Sequence, residues 1–161
     1  MKKQDIANPG YWRERIEKAK ELHHSIFICD AARWERIENK HRQILANHIL
    51  FADNVLDAGC GYGRLLGMMP RMWVGGYVGV DISPDLISLS VYDNAFICCD
   101  LRNIPLETEP KFDWCVLISI RPMVIRNLGK KEWDKMEMEC RRLSKKLLYL
   151  EYDETDEGSV E

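Results

Sequence analysis

The sequence predicts an α/β fold, a doubly wound and mainly parallel sheet of about five strands with N-terminal helices. Three apolar runs each close on a carboxylate: Asn54-Val55-Leu56 before Asp57, Tyr77-Val78-Gly79-Val80 before Asp81, and Ala95 to Cys99 before Asp100. Glycines follow the first run in alternation, at Gly59, Gly61 and Gly63. Glycine takes positive φ freely and lets a second molecule touch the backbone, so this stretch reads as a strand ending in a ligand-cradling turn. Segments of helical period separate the runs, and that alternation gives a parallel sheet with helices on both faces.

The elements follow in order. Asn8-Pro9-Gly10 is a turn, and a helix after it carries Trp12, Ile16, Ala19 and Leu22 on one face. A second helix from about Asp30 to Ile49 has Trp34, Ile37, His41, Ile44, Leu45 and His48 as its inner stripe. Gly61 to Met69 opens a crossover helix that Pro70 ends. Ser83-Pro84-Asp85 starts the next, with a hydroxyl cap and proline at the first helical position. Strand four runs from about Trp114 to Ile120, a helix from Gly129 to Leu143, and strand five from Leu147 to Tyr152. These make one domain over 1–152, a helical cap (1–52) on a sheet core (53–152). Residues 153–161 are acidic and lack aromatics, which predicts a disordered tail.

The bulk numbers exclude several classes. At 161 residues, 46% apolar and 30% charged, the chain buries a core without covalent staples. A net charge of −3 draws it to neither nucleic acid nor anionic membrane. The six cysteines lack Cys-x-x-Cys spacing and read as reduced thiols of a cytoplasmic protein, not as zinc ligands or disulfides. There is no signal peptide and no run long enough to span a bilayer.

Asp57 with Gly59, Gly61 and Gly63, then Asp81, then Asp100-Leu101, then the strand Phe112 to Ser119 match four motifs in order. Over roughly residues 50 to 152 the chain resembles the class I S-adenosylmethionine-dependent methyltransferases. The resemblance implies strand order 3-2-1-4-5 and S-adenosylmethionine as cofactor. It also implies that Asp57 meets the cofactor's amino group and that Asp81 accepts the ribose hydroxyls. Ile82 then packs on the adenine beside Ser83, Asp100 accepts from the adenine amino group, and the Leu101 amide donates to the ring. Ala58, Gly59, Cys60, Gly61 and Gly63 contribute backbone that passes close to the ligand. Tyr11 and Trp12 are lid candidates, because an aromatic face near a sulfonium gains cation–π attraction. Arg36, or Arg33, is a candidate partner of the cofactor carboxylate. Ser119 and Arg121, where strand four opens over the methyl group, are the acceptor-side candidates, with Ser119 also near the cofactor. His41 is a candidate base, although its place on an apolar stripe equally fits a core histidine.

No metal site is expected, and methyl transfer needs none. The segment after strand four lacks an Asn/Asp-Pro-Pro-aromatic sequence and a Pro-Cys pair, which argues against the amino-methylating and pyrimidine-attacking subclasses. The basic residues of 130–146 are mixed with acids, so a small-molecule acceptor is expected over nucleic acid. The alternatives are a cofactor-binding subunit completed by a partner, a methyltransferase acting on RNA or protein, and a cofactor-cleaving or nicotinamide enzyme. The third glycine comes one residue early for the nicotinamide signature. The family usually continues past strand five with a helix and a hairpin. The expectation is therefore a truncated fold whose strand-five edge invites self-association or a partner subunit.

Overall fold

The computed structural model describes residues 3–69, 73, 75–93, 95–107, 111–153 and 157–161. Pro70, expected to end the first crossover helix, lies outside them. Helix α1 (Pro9–Lys18) starts where Asn8 accepts from the Gly10 N–H with proline in the first turn. A short 3-10 turn (Leu22–Ser25) leads to α2 (Ala31–His48), capped by Asp30 on the Arg33 N–H. Then come β1 (Val55–Ala58), α3 (Arg64–Met68), β2 (Tyr77–Asp81), α4 (Pro84–Ile87) and β3 (Ala95–Cys98). Ser83 caps α4 by accepting from the Leu86 N–H, as the Ser-Pro-Asp sequence predicts. The chain continues as β4 (Phe112–Ile118), α5 (Ile120–Asn127), α6 (Lys130–Leu143), β5 (Ser144–Leu150) and β6 (Ser159–Val160).

The sheet order is β3-β2-β1-β4-β5-β6, so the expected 3-2-1-4-5 arrangement holds. All pairings are parallel except β5 with β6, where Leu148 faces Val160 and Tyr149 faces Ser159. Strand alternation sends successive side chains to opposite cores. Leu56, Ala58, Cys115, Leu117, Leu147 and Tyr149 join α4, α5 and α6 on one face. Val55, Trp114, Val116, Ile118, Leu148 and Leu150 join α2 and α3 on the other. Trp133 and Cys140 on α6 are completely buried, which is why that helix keeps a strict apolar stripe despite its charges.

Two expectations are corrected. Helix α5 begins where strand four was expected to continue. Pro122 sits in the first turn of that helix, where a proline removes no intrahelical bond. The end of the acidic tail is also ordered: the Glu161 N–H donates to the Leu147 carbonyl, and the Leu147 N–H to the Glu161 carbonyl, extending the β5–β6 pairing. A strand of two residues therefore covers part of the β5 edge predicted to be bare. No helix among the described residues is long and apolar enough to cross a membrane.

Candidate adenosyl site and acceptor groove

The carboxyl ends of β1, β2 and β4 converge on two adjoining cavities. The first, of about 60 Å³, is lined by Gly59, Asp81, Ile82, Asp100 and Leu101 below. Ile6, Ala7 and Trp12 from the N-terminal segment and Ile120, Met123, Val124 and Leu128 from around α5 close it. The second, of about 50 Å³, shares Trp12, Gly59, Asp81, Ile120 and Met123 and adds Gly61, Ile26, Ser119 and Tyr152. Beyond Ser119 the molecule opens into a groove of about 350 Å³ that holds Tyr11, Phe27, Glu151 and Tyr152.

Asp81 is the best-placed acid. Its Oδ2 accepts from the Gly61 N–H (2.9 Å) and its Oδ1 from the Ser83 N–H (2.8 Å). Burial raises its carboxyl above the ordinary range, against the pull of those amides. A carboxylate has about four acceptor sites, so two remain for hydroxyls. Asp100 faces the same cavity, but Arg102 grips both of its oxygens and holds its carboxyl below the ordinary value. Arg102 in turn reaches Glu132 at 2.6 Å. Gly59 takes φ 79°, and a β-carbon there would stand 2.3 Å from Ile120 Cδ1, so the turn tolerates only glycine under this helix.

The remaining sequence candidates divide. Ile82, Leu101 and Trp12 line the first cavity, and the Trp12 indole donates to the Ile6 carbonyl. Ala58 is buried in β1, and Gly63 is held where a β-carbon would strike Phe96. Cys60 is buried with its thiol turned to the Gly61 carbonyl, and burial pushes that thiol up, so it offers backbone only. Ser83 spends its hydroxyl on the α4 cap. Tyr11 lies in the groove rather than over the cavities.

Four candidates are corrected. Asp57 points to the α2–α3 face because alternation along β1 puts it opposite Leu56 and Ala58; there it accepts from the Tyr77 hydroxyl (2.8 Å). Desolvation pushes it up to about 7. His41 is fully buried, with Nε2 2.7 Å from the Glu151 carbonyl and Nδ1 2.8 Å from Arg64 Nη2. Both ring nitrogens are engaged, so it is a structural strut and not a base facing an acceptor. Arg121 turns to the sheet edge, 3.6 Å from Glu161 and over the Tyr149 ring. Arg36 is exposed on α2. The cation beside the glycine turn is Arg64, which is buried against Glu38 (3.4 Å), stacked over Trp34, and has Nη1 without a hydrogen bond among the described residues.

Sequence reading missed Ile6, Ala7, Ile120, Met123, Val124, Leu128 and Glu151. Ile120, Met123, Val124 and Leu128 fall at helical spacing, a signal masked by the apolar run of strand four that leads into Ile120. Among the described residues no group of three or more His, Cys, Asp or Glu is placed to hold a metal ion.

A glycine turn beneath an apolar slot, with one strand-end carboxylate free to accept, is the arrangement of a nucleoside site at the switch point of an open sheet. The family described as "Methyltransferase domain" matches residues 55–146, more than half of the chain. The chain belongs to that family. The match runs from β1 into β5 and so contains Gly59, Asp81, Asp100 and Ser119. A comparison with curated proteins finds no match. Solved structures with this methyltransferase-domain fold include the PH0226 protein of Pyrococcus horikoshii OT3, at 23% identity and TM-score 0.63 over 81% of this chain and 66% of that one. Another is the magnesium protoporphyrin IX methyltransferase of Synechocystis PCC 6803 with bound SAM, at 18% identity and TM-score 0.58 over 83% and 68%. A third is a methyltransferase of Haloferax volcanii in complex with the Trm112 methyltransferase activator, at 18% and TM-score 0.57 over 73% and 53%. The chain thus spans about half to two thirds of their lengths, and at these identities the likeness is one of fold.

Proposed function

We propose that this chain is an S-adenosylmethionine-dependent methyltransferase whose acceptor is a small molecule. The observation that carries the reading is the shared cavity: Asp81 and Asp100 face one slot floored by Gly59 and walled by Ile82, Leu101, Val124 and Met136. The residues fit an adenosyl group in kind, with apolar walls for a purine and a free carboxylate for two hydroxyls. Room for it comes from displacement of Ile6, Ala7 and Trp12, because about 60 Å³ holds only a few waters. When bound, the cofactor supplies an electrophilic methyl on a positively charged sulfur.

The chain's own part is positional. Asp81 orients the sugar, the Gly59–Gly61 turn lets the ligand reach the backbone, and Trp12 excludes water. Arg64 takes over from Arg36 as the candidate counter-charge for the carboxylate tail. Near-attack positioning of this sort supplies roughly 7–11 kcal/mol of a barrier. The small-molecule reading draws support from the groove, where the described residues mix Arg15 and Arg126 with Glu151 and Asp153.

Calorimetry with S-adenosylhomocysteine tests the reading. Wild type binds, and Asp81→Asn binds at least tenfold more weakly, because the new amide N–H₂ opposes one of the two backbone donors. A chain that ignores the ligand at millimolar concentration, or prefers a nicotinamide dinucleotide, refutes it. A partner-completed enzyme is the second reading, suggested by the Haloferax volcanii methyltransferase that is held in complex with the Trm112 activator. Gel filtration and transfer assays with and without added partner separate the two.

A further inference from the structure

Ser119 is the only non-glycine residue with positive φ among the described residues, at φ 54° and ψ 19°. A left-handed conformation there stores about 1–3 kcal/mol and persists only where the surroundings enforce it. The Ser119 N–H donates to the Leu150 carbonyl (2.7 Å), while its hydroxyl accepts from the Tyr152 N–H (2.7 Å) and donates to Glu151 Oε2 (2.9 Å). The Tyr152 amide already fixes the hydroxyl, so holding Ser119 does not require a carboxylate. One is nevertheless held at the point where the second cavity meets the groove: Ser119 and Tyr152 line both, and Glu151 lines the groove. The backbone of Glu151 is anchored in turn by the buried His41, and His41 by Arg64.

Given methyl transfer as proposed above, we propose that Glu151 is the general base for an aromatic hydroxyl acceptor seated in this groove, with Ser119 as the positioning residue that aims its carboxylate. The lining suits a flat ring: Tyr11 and a wall made of Phe27 packed on Tyr152, centroids 5.0 Å apart, offer it aromatic faces and edges. Arg126, exposed at the rim, offers a counter-charge to a ring carboxylate. A phenol keeps its proton until about pH 10 and attacks poorly without a base, unlike a thiolate or a tertiary amine. In the step, a lone pair of the phenolic oxygen forms the new C–O bond as the C–S bond breaks. That bonding pair leaves on sulfur as a neutral thioether, and the phenolic proton passes to the Glu151 carboxylate and then to solvent through the groove.

The test combines binding and transfer, with 4-hydroxybenzoate as acceptor probe and Glu151→Gln and Glu151→Asp as variants. The glutamine keeps the side-chain volume, and its oxygen still accepts from Ser119, so circular dichroism should be unchanged. The expected results are S-adenosylhomocysteine affinity unaltered and 4-hydroxybenzoate affinity to the cofactor-free chain reduced roughly tenfold on loss of the charged acceptor. Labelled-methyl transfer falls at least about 100-fold in Glu151→Gln and is partly restored in Glu151→Asp. Transfer by Glu151→Gln at the wild-type rate overturns the assignment. So does a wild type that binds S-adenosylhomocysteine but neither binds nor methylates 4-hydroxybenzoate. Failure of wild type to bind S-adenosylhomocysteine overturns the cofactor reading along with it.

Discussion

Replacing Gly59 by alanine probes the contact that shapes the site. The substitution acts in two separable ways. At φ 79° an L side chain is strained by about 1–2 kcal/mol. The new methyl also stands 2.3 Å from Ile120 Cδ1 and 2.8 Å from Cγ1, an overlap that overpacking data place at about 1–3 kcal/mol. Gly59→Ala should therefore destabilise by about 2–5 kcal/mol, and Ile120→Ala, which removes a buried side chain from over the turn, by about 2–5 kcal/mol. In the double variant the overlap disappears and the backbone strain stays, so it should be more stable than the sum of the singles by about 1–3 kcal/mol. Urea unfolding followed by far-UV circular dichroism measures this, with an unchanged m-value as the check on two-state behaviour. Because the alanine methyl stands in the floor of both cavities, S-adenosylhomocysteine binding should be lost in the single and the double variant alike. Additivity within about 0.5 kcal/mol would refute the seating of Ile120 on the turn. Retained binding would refute the turn as ligand floor.

Asp57 gives a pH signature. With its folded value raised from 3.8 to about 7 it keeps its proton where the unfolded chain has lost one, so stability falls as pH rises through that window. The full displacement is worth about 4 kcal/mol, and Asp57→Asn should flatten the slope between about pH 4 and 7; an unaltered slope would place the titration elsewhere. Trp12→Phe, which removes the one indole among the described residues that lines both cavities, should abolish most of the fluorescence change induced by S-adenosylhomocysteine. An undiminished fluorescence response in that variant would mean that another indole reports. Arg64→Met removes the donor of His41 Nδ1 and the partner of the half-buried Glu38, and should destabilise by about 2–4 kcal/mol. Urea titration of Arg64→Met measures this, and a change under about 0.5 kcal/mol would refute Arg64 as a buried strut.

Much of the site was legible because its residue types answer to local rules. Gly59 and Gly63 have positive φ, Ser83-Pro84 caps a helix, and Asp81 ends a strand, each with its signature in the chain. Helix α5 was not legible, since the apolar run of strand four leads straight into Ile120 and only the packing of Ile120, Met123 and Val124 over the turn shows where the strand ends. The histidine stripe was ambiguous for the same reason. Periodicity puts His41 on the inner face of α2, but only the approach of β5 supplies the Glu151 carbonyl that engages it.

The sequence by itself determined neither α5 nor β6, but it did determine the order of the five parallel strands and of most helices, the glycine turn and the acids at strand ends. These depend on periodicity, φ preference and capping, which act between near neighbours in the chain. Tertiary structure decided which acids face the cavities, sending Asp57 to Tyr77 on one face of the sheet and Asp81 to the other side of the turn. It also buried Arg64 against Glu38 while leaving Arg36 exposed on α2, and brought Glu151 beside Ser119, 32 residues away in sequence. Such pairings form only when distant strands align, and no short-range rule contains that register.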